Sequence, residues 1–255
     1  MSDERPCGYL LDTPDPPERV TEDVLLGAAD LVGTIPHFAS IPQPEWITQQ
    51  RGPSCTGHYW AEAVYGMTGE KQSPYLPFYY GLMHDFSGNE AAIDVADGVS
   101  MRSTIDAAKV HGSCKWDLWN PSSPGFKPIA RPPALARLDA QRHNVDSVRI
   151  YASGGNAPVE AVCAAIAAGR PVGIVVRVDK EFDRPISGYV APDGGGTARG
   201  SHIITGWSYR TLENGERRVR ALVHWGKGFG TNGGVELDPD RILKSPFLCY
   251  PRQIS

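Results

Sequence analysis

Between Thr48 and Ala63 the chain passes from a loop that cannot be helical into a helix that cannot be exposed. The stretch reads Thr48-Gln49-Gln50-Arg51-Gly52-Pro53-Ser54-Cys55-Thr56-Gly57-His58-Tyr59-Trp60-Ala61-Glu62-Ala63. Gly52 and Pro53 break regular structure and deliver Ser54 as a candidate N-cap. Beyond it, Trp60, Ala61, Val64 and Met67 fall on one helical face. Cys55 then occupies the first turn. Unpaired backbone N–H groups and the positive end of the helix dipole favour a thiolate there, as a nucleophilic cysteine requires. A single cysteine is also a common apolar core residue, so this stretch alone leaves both readings open.

The rest of the composition narrows the choice. With 255 residues, 41% apolar and 21% charged, the chain has enough material for one large domain or two small lobes of a soluble globular protein. A net charge of −4 and the absence of any basic run longer than Arg217-Arg218 argue against nucleic acid as a partner. No apolar stretch approaches the roughly 18 residues of a membrane span, and Met1 to Pro6 lacks the apolar centre of a signal peptide. A location in the cytoplasm, or carriage inside a particle, is expected. The five cysteines are odd in number and scattered, which fits reduced thiols better than a disulfide framework.

Along the chain, residues 1–45 read as an extended arm, because Pro14, Pro16 and Pro17 among short apolar pieces oppose a helix. Tyr79, Leu82 and Met83 stand at helical spacing and are expected in a core. Thr104 to His111 forms a helix closed by Gly112, and Asn156 with Pro158 opens another whose stripe includes Cys163. Pro171 to Val178 is a β-branched run that reads as a buried strand. Next comes Gly200-Ser201-His202-Ile203-Ile204-Thr205-Gly206-Trp207, an apolar strand with a histidine near its start. A hairpin at Asn214-Gly215 leads to Arg218 through Trp225 and then to Gly226-Lys227-Gly228-Phe229-Gly230-Thr231-Asn232-Gly233-Gly234-Val235. Asp193 to Gly196 is a flexible loop, since no Lys-Ser/Thr pair follows the glycines as in a phosphate cradle.

Three of these motifs, in this order, resemble the papain-like cysteine peptidases. The first is Gln49, six residues before Cys55, with Ser54-Cys55 opening the helix. The second is the strand bearing His202, which lies 147 residues after Cys55, within the roughly 130–150 that mark that family. The third is the Trp225-Gly226-x-Gly228-aromatic-Gly230-x-Asn232-Gly233 block. The resemblance covers about residues 8 to 245 and implies specific roles. Cys55 is the nucleophile, His202 the general base and acid, and the Gln49 amide with the Cys55 N–H the oxyanion donors; Gln50 is the runner-up donor. Gly98 matches one of two glycines on the strand that binds an extended peptide, and Val99 replaces the other. The asparagine that holds the histidine's second nitrogen falls at Val223, whose side chain cannot accept a hydrogen bond. A slow enzyme is expected from that loss. Strand alternation would send His224 to the opposite face from Val223.

The expected fold is therefore α+β and papain-like, a single unit over 1–255. It comprises a helical lobe over 46–135 and a β-rich lobe over 136–255, antiparallel and barrel-like, with the cleft between them. The expected activity is hydrolysis of peptide or isopeptide bonds through a thioester intermediate, acting on a peptide or protein substrate. His58 and Glu62 stand four apart on one helix, but no second histidine or cysteine lies at ligand spacing, so neither a metal nor a cofactor is expected. Val223 and Val99 motivate a rival, a degenerate module with a binding or structural role in a larger assembly such as a virion. A further alternative keeps the chemistry but cleaves cell-wall peptides.

Overall fold

The computed structural model describes residues 9–10, 35–44, 50, 52–120, 131–150 and 155–254. Two short strands come first, β1 (Tyr9–Leu10) and β2 (Phe38–Ser40). A helical layer follows, of α1 (Cys55–Thr68), α2 (Tyr75–Asp85), α3 (Glu90–Val95), the short strand β3 (Val99–Ser100) and α4 (Met101–His111). After α5 (Ala134–Ala140) the chain turns to sheet, with β4 (Val145–Arg149), α6 (Ala157–Ala167), β5 (Val172–Arg177), α7 (Lys180–Asp183) and β6 (Tyr189–Val190). The last elements are β7 (Ser201–Thr211), β8 (Arg217–Leu222), β9 (Gly234–Leu237), α8 (Pro239–Leu243) and β10 (Leu248–Ile254).

The two lobes of an α+β fold are evident in how these elements bury their apolar faces. Tyr75, Leu76, Phe78 and Leu82 of α2 pack with Trp119 and with Ala136 and Ala140 of α5 to make the core of the helical lobe. Val172, Ile174 and Val176 of β5 pack with Ile204, Trp207 and Tyr209 of β7 and Val162 and Ile166 of α6 on the sheet side. Between the two lies a third cluster, in which Tyr59, Trp60 and Val64 of α1 meet Met101 and Ile105 of α4, Val175 of β5, Ile203 of β7 and Cys249 of β10. Helix α1 is thus wedged between the lobes. Every residue from Cys55 to Val64 is buried, which explains why this helix is apolar almost all round. Burial of each large side chain here contributes about 1.5–3 kcal/mol.

The sheet runs in the order β4-β10-β5-β7-β8-β9-β6, with β2 added on β7. Neighbours are antiparallel except β6 and β9, which pair in parallel. This corrects the barrel-like expectation, because the path ends at β4 and β6 and does not close. Closure requires long, tilted strands that can reach across, whereas β6 has 2 residues and β9 only 4.

Local signals explain most boundaries. α1 ends at Gly69, whose left-handed backbone (φ 74°) lets its N–H donate to the Tyr65 carbonyl at 2.7 Å. Ser54 stands at the N-cap position, yet its side chain makes no capping bond. α4 starts three residues before the expected Thr104, because the Ser100 hydroxyl accepts from the Ser103 N–H and caps it there. The expected hairpin forms at Asn214-Gly215, where Asn214 Oδ1 accepts from the Glu216 N–H at 3.0 Å.

Candidate active site

Cys55 is the first residue of α1 and is fully buried. It packs in the cluster between the lobes, together with Tyr59 one turn along the helix and Ile203 of β7. The residue before Ile203 is His202, paired across the sheet with Val176 of β5. Its imidazole is buried and stacks on the Trp225 indole, with ring centroids 4.8 Å apart and planes at 28°. Trp225 is held in turn by Phe229 and Phe182, edge to face. One glycine of the Trp225–Gly234 block is required for this support. Gly230 turns at φ 56°, and a Cβ there would lie 2.2 Å from the Gly234 carbonyl oxygen, so the turn that presents Phe229 tolerates no side chain.

The hydrogen bond that orients His202 comes from an unexpected group. Its Nε2 lies 2.9 Å from the backbone carbonyl oxygen of Val223. A carbonyl can only accept, so Nε2 carries the proton and the neutral ring keeps its basic lone pair on Nδ1. The expectation that Val223 leaves the imidazole unsupported is thereby corrected. The side chain cannot accept, but the main chain does. Val223 itself turns its side chain into the core of the sheet lobe.

His224 is the second departure from the sequence reading. β8 ends at Leu222, and His224 adopts a left-handed backbone with φ 58°. Alternation therefore no longer governs its direction, and the ring swings to α1. There Nδ1 donates to Glu62 Oε1 at 3.0 Å, with both side chains almost wholly buried. The same residue's carbonyl accepts from the Gln50 N–H at 2.7 Å. His224 stacks on His58 at 5.5 Å and meets His202 edge-on at 5.9 Å. His58 is one turn from Cys55, and burial, followed by the charges of His224 and His202, pushes its pKa well below the usual imidazole value.

These contacts gather His202, His224, His58 and Glu62 around the first two turns of the helix that Cys55 opens. Gln49 lies outside the described residues. Gln50 is buried and its side-chain amide donates to the Gly52 carbonyl at 2.8 Å, bracing its own loop. Gly98 is buried directly before β3, which pairs in parallel with β1 through Tyr9 and Val99. Val99 packs inside the helical lobe, opposite Gly81 of α2, instead of projecting outward. Among the described residues no group of three or more His, Cys, Asp or Glu side chains is arranged to hold a metal ion. None of the four described cysteines, Cys55, Cys114, Cys163 and Cys249, is in a disulfide. Glu62 and His224 were missed as a pair by sequence reasoning. One signal was present, a lone carboxylate amid the apolar run Tyr59 to Val64, which must find a partner if the helix is buried.

No protein-family model matches the chain, and no curated protein matches it. Solved structures do. Xylellain, a cysteine protease from Xylella fastidiosa, superposes with a TM-score of 0.73 at 17% identity, covering 100% of both chains. Digestive procathepsin L 3 of Tenebrio molitor larval midgut gives 0.65 at 14% identity over 98% of this chain and 76% of its own. The bromelain protease from Ananas comosus gives 0.57 at 13% identity over 85% of this chain and 99% of its own. The fold is papain-like.

Proposed function

We propose that this protein is a cysteine-type hydrolase that cleaves peptide or isopeptide bonds. The observation that carries the reading is the Val223 carbonyl on His202 Nε2, because it leaves Nδ1 as the basic nitrogen in a cluster built on the helix whose first residue is Cys55. Fold likeness supports the same class. At the helix N-terminus the Cys55 thiol gives its proton to His202, and the resulting thiolate attacks the substrate carbonyl carbon. The oxyanion that forms is held by the Cys55 N–H and the Gln49 side-chain amide. Collapse breaks the C–N bond, and the imidazolium returns its proton to the departing amine. Water then attacks the thioester while His202 takes its proton, releasing the acid and the thiolate. Gly98 and its strand would line the extended substrate. Both Cys55 and His202 are fully buried, so peptide must displace what covers them.

Cys114 and Cys163 are poor rivals for this role, since burial pushes their thiols up to about 12. A reducing compartment or a particle interior would suit the chemistry. The substrate is a peptide or protein, and a generic peptide library beside purified peptidoglycan separates general from cell-wall cleavage. The deciding experiment is hydrolysis by the wild type, Cys55→Ala and His202→Ala, with the mass of the protein measured after a thiol-alkylating probe. Each variant should lose several orders of magnitude, and the double variant little more, because the two groups act as a unit. Small losses, or no label on Cys55, would leave the degenerate binding module as the better reading.

A further inference from the structure

Resting on the hydrolase reading, we propose that His224, locked to Glu62, is a positioning residue that takes over from the absent asparagine by fixing the turn whose Val223 carbonyl holds His202. The argument starts from the backbone. A left-handed conformation at a residue other than glycine is strained and persists only when its surroundings impose it. At φ 58°, His224 is held from two directions, by the Glu62 carboxylate on its side chain and by the Gln50 N–H on its carbonyl. The φ torsion of His224 turns the peptide unit that contains the Val223 carbonyl relative to the rest of His224. Whatever fixes this torsion therefore fixes the acceptor that His202 Nε2 requires.

The same bond joins the two halves of the site. Glu62 lies two turns beyond Cys55 on α1, and His224 lies just after β8, the neighbour of the strand that carries His202. A buried carboxylate and imidazole, each at 1% exposure or less, thus set the position of the thiol-bearing helix against the imidazole. Neither Glu62 Oε2 nor His224 Nε2 has a hydrogen-bond partner among the described residues, so each side chain depends on the other. An asparagine side chain would hold the histidine directly. Here a main-chain carbonyl does so, and the buried Glu62–His224 hydrogen bond sets its aim.

The test combines the pH dependence of Cys55 alkylation by iodoacetamide, located by peptide mass, with kcat and KM on a peptide substrate. It compares the wild type, Glu62→Met, Glu62→Gln and His202→Ala. Methionine keeps helix propensity and similar volume while deleting the acceptor. In Glu62→Met the alkylation inflection should move towards that of an ordinary thiol and kcat should fall about tenfold at unchanged KM, the scale of one lost hydrogen bond. Glu62→Gln, whose amide oxygen can still accept from Nδ1–H, should recover most of the loss. A folded Glu62→Met with the wild-type inflection and kcat overturns the proposal. If Glu62→Met does not fold, His224→Asn and His224→Ala decide from the other side of the bond. Asparagine tolerates the left-handed turn and offers an amide donor to Glu62, so it should keep the profile that alanine loses. Equal profiles for those two would overturn the proposal. A wild type with no depressed inflection, or one that His202→Ala leaves in place, refutes the hydrolase reading itself and this proposal with it.

Discussion

Val223→Asn restores the side chain that papain-like sequences carry at this place, and on sequence grounds it should raise turnover. The structure reverses that expectation. The proton on His202 Nε2 is already donated to the Val223 carbonyl at 2.9 Å, so an added amide finds its task done. Val223 is fully buried among apolar side chains of the sheet lobe. The exchange removes apolar burial of about 1.5 kcal/mol, for roughly two methyl groups. It also buries an amide without an assured partner, at about 1–3 kcal/mol. The net destabilisation is therefore about 2.5–4.5 kcal/mol, a large share of the roughly 5–15 kcal/mol that holds a domain together. For a chain of this size it corresponds to a fall in Tm of roughly 5–18 °C. Thermal unfolding by circular dichroism should show that fall. Turnover per active site, titrated with an alkylator at equal folded fraction, should stay at or below the wild-type value. A rise of roughly two- to tenfold, the scale of one hydrogen bond gained in the transition state, would refute the reasoning, because it would mean that the carbonyl does not hold His202 during the reaction.

Gly57→Ala should destabilise the protein, although glycine to alanine inside a helix ordinarily gains about 1 kcal/mol, because the new Cβ would lie 1.8 Å from the Pro74 carbonyl oxygen. Overpacking of about 1–3 kcal/mol should win, read as a lower urea midpoint at unchanged m-value. Asp179→Ala should cost about 3–5 kcal/mol, since it strips the buried Arg241 guanidinium of a two-bond carboxylate partner, and near-native stability by denaturant titration would contradict this. His58 adds a pH dependence of known sign. Its folded pKa is depressed, chiefly by burial, so the unfolded chain binds the extra proton first. The stability it contributes is complete above the unfolded value near 6.5 and is lost as pH falls from there towards the folded value, with a slope of at most about 1.4 kcal/mol per pH unit. Tm should drop between pH 7.5 and 5, and His58→Phe should flatten that drop.

Where the determining forces are local, the sequence carried the answer. Gly52-Pro53 before an apolar helical stripe put Cys55 at a helix start, Gly112 ended a helix because it tolerates positive φ, and Asn214-Gly215 made its hairpin. The block from Trp225 to Gly230 was legible through its resemblance to the papain-like motif, and the structure gives a physical reason at Gly230, where the crowded turn excludes a Cβ. Three features waited for the tertiary structure. The open sheet depends on strand lengths and pairing partners that periodicity does not encode. The partner of Glu62 is His224, 162 residues away in sequence, and nothing in either neighbourhood specifies the other. The acceptor for His202 is a main-chain carbonyl, a group every residue possesses, so no residue type can announce it. Its direction is set by a torsion at His224, and that torsion is stabilised only once α1 and the sheet have packed and brought a carboxylate and a backbone N–H within reach.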